Sequence, residues 1–527
     1  MLKTPAAPRD HLLLPSHPTP NGRLHLGHIA GPYLKMDVLR RALLRRGDRA
    51  VLMFALDSFE SYVLLRAHQL EIGPEEVVSR YAEEIRADLA ALDIEADCFL
   101  DPLDESFAGT YRASLADSVE RLRRCSGIEE RTERFLYCTA TSRFVVGCWL
   151  LGRCPSCDAE SGGYSCEACG AHYRPEELLE QRSRLAEGAL EEVACRTLFM
   201  RARDEGALRR HIEGRLPDAF RDIVVRYLDR SGATLRISVP GTWGVPINVK
   251  GERRTQVVFS GFASLGLLDA LGRVYAQRFG KSNPFRPDSD VSVTCSFGVD
   301  NTVSRIMSCV GGALDVESFR PPDSFLLNYF YLLEGAKFST SRNHAIWASA
   351  IGNISPTMSD AVRLHLLRTA PEEDETGFSV NGFLADAKEL FEEWNSVIGR
   401  AMSDATPVPV PEQVIVAFRE ALTTQESYLD TDAFRSKLLP DTLHDWIALG
   451  RTWAGEFPYW WLKGFATLGW PILPRLCSSL WSYLGHEGEP ALHSFLNHTQ
   501  VSGNPVNLFQ PVTEADLQGC LPPSLKG

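Results

Sequence analysis

Apolar and polar positions in the first hundred residues follow two alternating patterns. Residues 11–14 and 50–55 are short apolar runs typical of buried strands, whereas residues 24–44 and 75–92 place their apolar side chains at helical spacing. Strand, helix, strand, helix is the order that builds a doubly wound parallel sheet. We therefore predict an α/β fold with a parallel sheet as its central layer.

The pattern changes twice further along the chain. A cysteine-rich stretch interrupts it, and strand-like runs then resume at residues 255–260 and 291–297. Beyond residue 377 nearly all of the sequence has helical periodicity, apart from a proline-rich break at 406–411. We expect the second half of the sheet after the interruption, followed by an α-helical domain.

Composition indicates a large globular protein without a membrane segment. Of its 527 residues, 44% are hydrophobic and 23% charged, and no apolar stretch approaches the roughly 20 residues of a membrane span. Met1 to Asp10 lacks the apolar core of a secretion signal, so we expect a cytoplasmic protein. The formal net charge of −13 argues weakly against a general nucleic-acid binder, because such proteins usually carry a basic field.

The sequence His25-Leu26-Gly27-His28 lies where the first predicted strand gives way to a helix. Parallel sheets bind ligands at the carboxyl ends of their strands, and helix N-termini attract anions. His25 and His28, one helical turn apart, can donate hydrogen bonds to a phosphate chain, and Gly27 leaves room for a flat base against the backbone. The alternative is a pair of surface histidines on an ordinary helix, which the preceding Pro-Asn-Gly turn disfavours.

A loop of small residues carries Lys337, Ser339, Thr340 and Ser341 in the second half of the chain. Such a loop can close over a triphosphate and neutralise the charge that develops during its cleavage. Alone it would be an ordinary polar loop. The order of the histidine motif and this loop makes each of them more specific.

Four of the 13 cysteines form two Cys-x-x-Cys pairs, Cys154 with Cys157 and Cys166 with Cys169. Two such pairs around a glycine-rich turn are typical of a tetrahedral zinc site with four thiolate ligands. Because the cysteines fill every position of that tetrahedron, the zinc is expected to be structural and not catalytic. Chance clustering is the alternative.

The histidine motif and the lysine loop resemble the signatures of class I aminoacyl-tRNA synthetases. The cysteine knuckle between them resembles that of methionyl-tRNA synthetases in particular, and the resemblance runs from about Leu12 to Phe383 and more faintly to Gly485. It implies a reaction that joins an amino acid to ATP, with magnesium, to give an aminoacyl-adenylate and pyrophosphate. In that family the acyl group then moves to tRNA.

The fold implied by this resemblance is a Rossmann-type parallel-sheet catalytic domain split by a zinc-knuckle insertion and followed by an α-helical bundle. We divide the chain accordingly. Residues 1–119 are expected to form the first half of the catalytic domain, 120–240 the connective insertion, 241–320 the second half, 321–376 a stem segment with the mobile loop, and 377–527 the α-helical C-terminal domain.

The resemblance also implies roles for individual residues. Asp57 falls on the acidic residue that holds the substrate's ammonium group, which fits the cost of burying an unpaired carboxylate. Gly298 and Asp300 match a Gly-x-Asp that contacts the ATP ribose. The implied catalytic residues are His25, His28 and Lys337, and the implied ATP-binding residues are those three with Gly27, Gly298, Asp300, Ser339 and Ser341.

The chain departs from the family where the substrate would be bound. Thr340 replaces a second lysine of the mobile loop, so adenylate formation should be slower or should rely on Arg342 or another cation. Thr19 and Ser260 replace aromatic walls of the methionine pocket, which leaves little to hold a thioether.

Arg305 replaces the family's pocket histidine. A buried arginine that faces a small pocket favours a carboxylate ligand. We therefore expect an acidic or small polar amino acid, with glutamate first, bound by Asp57, Thr19, Ser260 and Arg305, with a second polar contact from His17. The alternative is that Arg305 pairs with a carboxylate of the protein itself.

The C-terminal segment also departs from the family. The stretch from Gly450 to Trp461 lacks the Asn-Arg-Tyr element with which the family reads an anticodon. From Ala401 to Gly527 there are 7 Lys and Arg against 13 Asp and Glu, whereas an RNA-binding face should be basic. The aromatic side chains here, Trp460 among them, are expected to be core residues, and a tRNA partner is disfavoured.

The sequence leaves open what the chain does with an activated amino acid. Our first hypothesis is transfer to a small amine or hydroxylamine acceptor, as in the methionyl-synthetase-like domains of bacterial hydrazine synthetases, where N-hydroxylysine is esterified and a zinc cupin rearranges the ester. A separate cupin protein would then be needed, since this chain has no His-rich cupin signature. The alternatives are a divergent methionyl-tRNA synthetase and an inactive binding protein, and retention of Lys337 disfavours the latter.

Overall fold

A computed structural model describes residues 7–166, 168–185, 190–316, 318–339 and 343–526. The strands are β1 Asp10–Pro15, β2 Arg49–Ala55, β3 Cys98–Leu100, β4 Ile128–Cys138, β5 Arg143–Phe144, β6 Leu150–Arg153, β7 Glu160–Gly162, β8 Leu179–Ser183, β9 Leu190–Arg201, β10 Thr234–Arg236, β11 Ser238–Pro240, β12 Gln256–Val258, β13 Ser292–Gly298, β14 Ser324–Asn328, β15 Tyr331–Leu333, β16 Ala336–Lys337 and β17 Thr376–Phe378. The helices are α1 Leu26–His28, α2 Leu34–Arg46, α3 Ser61–Leu70, α4 Pro74–Ala91, α5 Glu105–Arg124, α6 Glu205–Ile212, α7 Asp218–Ser231, α8 Ser260–Phe279, α9 Thr302–Ile306, α10 Gly312–Asp315, α11 Ala348–Gly352, α12 Met358–Arg368, α13 Val380–Glu389, α14 Asn395–Asp404, α15 Glu412–Tyr428, α16 Leu439–Glu456, α17 Pro458–Gly469, α18 Pro474–Tyr483 and α19 Glu514–Leu517.

A five-stranded parallel sheet lies at the centre, in the order β14-β13-β1-β2-β3. β1 pairs with β2 on one side and with β13 on the other. Most residues of these strands are buried, because helices cover both faces, and this explains their continuous apolar runs. The predicted parallel-sheet fold is confirmed.

Two short strands have partners that the apolar pattern does not reveal. The run at 255–260 contributes β12, which pairs antiparallel with β11 outside the parallel sheet. β14, in the segment assigned to the stem, adds a fifth strand beside β13. A short apolar run signals a strand but not its partner, so sequence alone could not place either one. The domain boundaries themselves stay a prediction.

The insertion leaves the catalytic domain after α5 and is built around one long antiparallel pair. β4 and β9 are paired from Ile128 opposite Met200 to Cys138 opposite Leu190. A smaller sheet, β7-β6-β8, carries the cysteine knuckle. The insertion therefore returns to the catalytic domain close to where it left.

Helices α13 to α18 form the C-terminal domain, whose core is rich in tryptophan. The prediction that its aromatic side chains belong to the core is confirmed, since Trp394, Trp446, Trp460, Trp461 and Trp481 are all fully buried. The segment between α18 and α19 is largely irregular. Within the described ranges, no helix combines the length and apolarity needed to cross a bilayer.

The guanidinium of Arg363 joins the catalytic domain to the helical domain. It lies on α12, is fully buried, and donates to the carbonyl oxygens of Leu92, Pro471 and Ile472 at 2.8–3.0 Å. It also pairs with the buried carboxylate of Asp37 on α2 at 2.7 Å. A charge buried this deeply is tolerated only when its donors are satisfied, so the contact fixes both domains to one another.

Arg363→Ala is expected to destabilise the protein by about 3–5 kcal/mol, because three carbonyls and a buried carboxylate lose their donor. Arg80→Ala is the matched control, since Arg80 is largely exposed in an i,i+4 pair with Glu84, and it should change the free energy of unfolding by less than about 0.5 kcal/mol. Urea unfolding followed by tryptophan fluorescence measures both. Equal effects of the two substitutions would show that Arg363 is not a structural joint.

Candidate active site

The loops after β1, β2 and β13 meet at one edge of the sheet. Because these neighbouring strands are parallel, Pro15, Ala55 and Gly298 all end on the same side. This carboxyl edge is where open parallel sheets bind ligands. The topology thus brings together residues that are far apart in sequence.

Two adjoining cavities open at this edge. The first, called here the nucleotide cavity, has a volume of about 560 Å³. Ser341 of the predicted ATP set lies outside the described residues, as do Thr340 and Arg342. All other members of that set line the nucleotide cavity: His25, Gly27, His28, Gly298, Asp300, Lys337 and Ser339.

His25 and His28 form a stacked pair at the two ends of the short helix α1. Their ring centroids are 3.7 Å apart, and the backbone N–H of His25 donates to Nδ1 of His28 at 3.3 Å. Burial holds the pKa of His25 well below its ordinary range and lowers the pKa of His28 to about 4. Both rings are therefore neutral near pH 7. His28, with Nδ1 as acceptor, presents Nε2–H to a ligand.

Phe338 of the lysine loop packs directly on the histidine motif. Its ring stacks on His25 with centroids 4.7 Å apart. A Cβ at Gly27 would lie 3.0 Å from the Phe338 ring and 3.1 Å from the His25 ring, so glycine is needed for this close approach. The further prediction that Gly27 leaves room for a flat base against the backbone remains a prediction.

The lysine loop is anchored on both sides of its tip. Ser339 and His344 exchange two backbone hydrogen bonds of 2.9 and 3.0 Å. The ammonium of Lys337 lies 4.5 Å from the ring centroid of Phe330. Lys337 is thereby held at the wall of the nucleotide cavity, where it can meet a phosphate.

The second cavity, called here the substrate cavity, has a volume of about 1120 Å³. His17 and Thr19 line both cavities, so the two spaces adjoin. The remaining residues predicted to bind the substrate, Asp57, Ser260 and Arg305, line the substrate cavity as well. The structure therefore brings the whole predicted substrate set to one place.

The carboxyl group of Asp57 has a raised pKa. Burial and the neighbouring Glu60 raise its pKa to about 7, while Arg305 acts in the opposite direction. Glu60 is held in place because it accepts hydrogen bonds from the Ser260 hydroxyl at 2.6 Å and from the Ser61 backbone N–H at 2.7 Å. A cation bound beside Asp57 would favour its ionised form.

Arg305 faces the substrate cavity without a carboxylate partner among the described residues. Its Nη1 donates to the hydroxyl of Ser264 at 2.8 Å. His17 lies nearby, and burial and Arg305 hold the pKa of its ring well below the ordinary range. Its Nδ1 is buried and has no hydrogen-bond partner in the described part of the chain. Arg305 and His17 thus present a guanidinium and an unpaired polar ring to a ligand in this cavity.

Sequence reasoning missed Glu60 and Ser264. Ser264 could have been found from spacing, because it lies one helical turn after Ser260 on α8. Glu60 lies in the turn before α3, where no such spacing links it to Asp57. No sequence signal points to the role of His172. Its Nε2–H donates to the backbone carbonyl of Asp300 at 3.1 Å, across the boundary between the insertion and the catalytic domain.

The four cysteines of the knuckle converge on one point. Their sulfur atoms all lie within 4.8 Å of one another, with Cys154 to Cys169 at 3.8 Å and Cys157 to Cys166 at 3.7 Å. Four thiolates at about 2.3 Å from a tetrahedral zinc ion are about 3.8 Å apart, so the cluster can hold the predicted structural zinc.

The knuckle also supports the loop that follows β13. Gly170 has a φ of +69°, and a Cβ there would lie 3.1 Å from the carbonyl oxygen of Val299. His172 binds the next carbonyl, that of Asp300. The knuckle therefore packs closely on the predicted ribose-binding segment at Gly170 and hydrogen-bonds to it through the His172 side chain.

Purified protein is expected to contain about one zinc ion per chain, and Cys154→Ser is expected to lose it, because a closed four-thiolate site leaves no spare ligand. The same substitution should lower the thermal unfolding midpoint. A chromogenic chelator measures the zinc, and Cys125→Ser, at a half-buried thiol outside the cluster, should change neither quantity. Wild-type protein without zinc would contradict the assignment.

Comparison with known proteins points to one family. The model described as tRNA synthetases class I (M) matches residues 13–402. The methionine–tRNA ligase of Methanopyrus kandleri is 26% identical over 546 residues, which cover 94% of this chain and 79% of that enzyme. The methionine–tRNA ligase of Methanococcus aeolicus is 25% identical over 373 residues, 69% of this chain and 54% of that enzyme, so this chain spans about half of its length.

A solved structure shares the fold. The crystal structure of Mycobacterium tuberculosis methionyl-tRNA synthetase bound by methionyl-adenylate superposes with a TM-score of 0.70 over 98% of this chain and 100% of that one, at 15% identity. The predicted resemblance is confirmed, and with it the enzyme class of ATP-dependent amino-acid ligases. The family model covers well over half of the sequence, and the chain therefore belongs to the family of class I (M) tRNA synthetases.

Proposed function

We propose that the chain activates an acidic or small polar amino acid, with glutamate first, as its aminoacyl-adenylate. The observation that carries this proposal is Arg305, which faces the substrate cavity with Ser264 as its hydrogen-bond partner and no carboxylate partner among the described residues. Such a guanidinium favours a ligand carboxylate, which would complete a charge-assisted hydrogen bond. The thioether of methionine has no carboxylate with which to form this charge-assisted hydrogen bond to Arg305.

In this proposal each cavity binds one of the two substrates. The amino acid places its ammonium at Asp57 and its side chain toward Arg305, while ATP, with its Mg²⁺, fills the nucleotide cavity. The amino acid's carboxylate oxygen attacks the α-phosphorus of ATP, and pyrophosphate leaves. His28 donates to the phosphate oxygens, and Lys337 neutralises the departing charge.

The second step in this proposal transfers the acyl group to a small amine or hydroxylamine, of which N-hydroxylysine is one example. The acidic balance of the C-terminal domain supports this, since residues 401–527 carry 7 Lys and Arg against 13 Asp and Glu. Five of its tryptophans, Trp394, Trp446, Trp460, Trp461 and Trp481, are fully buried and cannot stack on bases. Where the product is an ester of a hydroxylamine, a separate cupin protein would act on it.

The alternative is methionine activation followed by transfer to tRNA. It is supported by the relatives named methionine–tRNA ligases, one of which aligns with 94% of this chain. The two functions differ in the amino-acid side chain that the pocket binds and in the molecule that accepts the acyl group. Both differences can be measured directly.

The KM for the amino acid in ATP–pyrophosphate exchange is expected to rise about tenfold per pH unit well below pH 7, because only ionised Asp57 binds an ammonium group and its pKa is raised to about 7. The KM for ATP should not follow, since His28 is already neutral in this range. Asp57→Asn should raise the amino-acid KM about a hundredfold and remove its pH dependence. A flat wild-type profile from pH 5.5 to 8 would rule out this role.

Exchange measured across the twenty amino acids is expected to be strongest with glutamate or another acidic or small polar one. Arg305→Ala should raise the KM for an acidic amino acid on the order of tenfold to a hundredfold and leave the KM for ATP within about twofold, because the lost contact is a charge-assisted hydrogen bond. Arg134→Ala, an exposed arginine on β4 paired with Glu192, is the control and should change neither.

Other results would select the other hypotheses. Strong exchange with methionine and none with glutamate would overturn the proposed specificity. Aminoacyl-tRNA formed from total tRNA would favour the alternative acceptor. Background exchange with every amino acid, with or without an acceptor, would indicate an inactive binding protein.

A further inference from the structure

We infer that Glu60 is a second residue that binds the ammonium group of the amino acid, together with Asp57, and that the insertion holds it in place. This inference rests on the proposed function and adds to it the group that selects amino acids over other carboxylic acids. No motif of the sequence assigns a role to Glu60.

Asp57 and Glu60 are the two ends of one tight turn between β2 and α3. The backbone N–H of Glu60 donates to the carbonyl oxygen of Asp57 at 3.2 Å. The backbone N–H of Asp57 donates to the carbonyl oxygen of Pro18 at 3.0 Å, which fixes the turn to the loop after β1. Both side chains line the substrate cavity, and the electrostatic effect of Glu60 on Asp57 shows that the two carboxyl groups are close enough to act on one ligand group.

Both carboxylate oxygens of Glu60 are held by neutral donors. Oε1 accepts hydrogen bonds from the backbone N–H and from the hydroxyl of Ser61, each at 2.7 Å, and Oε2 accepts one from the hydroxyl of Ser260 at 2.6 Å. Within the described ranges, no arginine, lysine or histidine forms an ion pair with Glu60. Because a carboxylate has about four lone-pair sites, Glu60 can still accept from a cation in the cavity.

Ser61 connects Glu60 to the insertion. Its hydroxyl donates to Glu60 and accepts from the backbone N–H of Cys148 at 2.9 Å, while the Cys148 thiol donates to the Ser61 carbonyl oxygen at 3.1 Å. Gly147 has a φ of +55°, and a Cβ there would overlap the Ser61 hydroxyl, so glycine is needed for this close approach. The segment before β6 therefore docks on the start of α3 and orients the Glu60 carboxylate.

Glu60 is also the N-cap of α3, and capping is the simplest other role for its side chain. A cap needs only the hydrogen bond from the Ser61 backbone, so it does not explain the bond from Ser260 on α8. Capping also gives no reason for a second carboxyl group beside Asp57, where like charge helps to raise the pKa of Asp57 to about 7. This repulsion is relieved when a cation lies beside both groups.

A primary ammonium group matches this pair of carboxyl groups. It is a compact charge with three donors, so it can bond to Asp57 and Glu60 at once. A 2-hydroxy acid has no charge at this position and would leave both carboxyl groups without a cation. The pair therefore selects amino acids over hydroxy acids of the same shape.

Other titratable groups that face the pair come from three neighbouring elements: His17 of the loop after β1, Tyr111 of α5, and Cys148 and Tyr164 of the insertion. Burial raises the pKa of both tyrosines, raises the pKa of the Cys148 thiol to about 12 and holds the pKa of His17 well below its ordinary range. Arg305 of α9 opposes the effect of Glu60 on Asp57. A pH dependence near neutrality therefore reports Asp57.

Glu60→Gln tests the charge alone, because glutamine keeps the shape of the side chain and can keep the bonds to Ser61 and Ser260. At pH 8 the KM for the amino acid in ATP–pyrophosphate exchange should rise about tenfold. Its increase toward acid pH should begin about one pH unit lower than in the wild type, since removal of the Glu60 charge lowers the pKa of Asp57. The KM for ATP should stay within about twofold.

The probes are L-glutamate and its 2-hydroxy analogue, and the corresponding pair for L-serine or L-methionine replaces them where exchange favours that amino acid. Wild-type enzyme should prefer the amino acid at least about a hundredfold in kcat/KM, and Glu60→Gln should reduce this preference about tenfold. Glu60→Asp keeps the charge and should leave the midpoint of the pH profile where it is in the wild type.

Asp104→Asn is the matched control. Asp104 is exposed, caps α5 by accepting from the Ser106 backbone N–H at 2.9 Å and lines neither cavity, so its substitution should change no KM and no preference. Unchanged KM, pH profile and preference in Glu60→Gln would show that Glu60 only caps α3. A profile that moves equally in Glu60→Asp and Glu60→Gln would overturn the inference as well. Background exchange of the wild-type enzyme with every amino acid would instead reject the proposed function.

Discussion

The parallel pairing of β1 with both β2 and β13 is the constraint on which the site depends. It places three strand ends at one edge, although β13 follows β2 only after the whole insertion. Because β13 is parallel to the other strands, the chain must leave the sheet at its carboxyl edge and re-enter it at its amino edge. The long β4–β9 pair makes this possible, because it brings the two ends of the insertion together and offsets the entropy of closing so long a loop.

Charge within the two cavities is arranged by burial and not by ion pairing alone. Burial lowers the pKa values of His25 and His28 and raises the pKa of Asp57 to about 7, while Arg305 donates a hydrogen bond to the Ser264 hydroxyl. Each group is costly to bury without a ligand, and a substrate with the complementary charges would lower that cost. The site is thus electrostatically incomplete by itself.

Much of this could be predicted from the sequence, because local patterns carry it. The histidine motif, the lysine loop and the two Cys-x-x-Cys pairs have fixed spacing in the sequence. The apolar runs of β1, β2 and β13 predicted the parallel sheet. Contacts between distant segments have no such signal. The hydrogen bond from His172 to Asp300, the Ser264 partner of Arg305 and the pairing of β14 all depend on three-dimensional packing. The residues predicted to bind the substrate could be named from the sequence, but the size of the substrate cavity could not be predicted.

The joint at Arg363 limits how this chain can be recombined with others. Its donors are satisfied half by the catalytic domain and half by the Pro471 and Ile472 carbonyls between α17 and α18. A chimera that exchanges the helical domain must therefore supply two carbonyls at the same positions. Where it does not, the catalytic half would keep a buried guanidinium with unmet donors. The two domains would therefore have to be exchanged together, although no described residue of the helical domain lines either cavity.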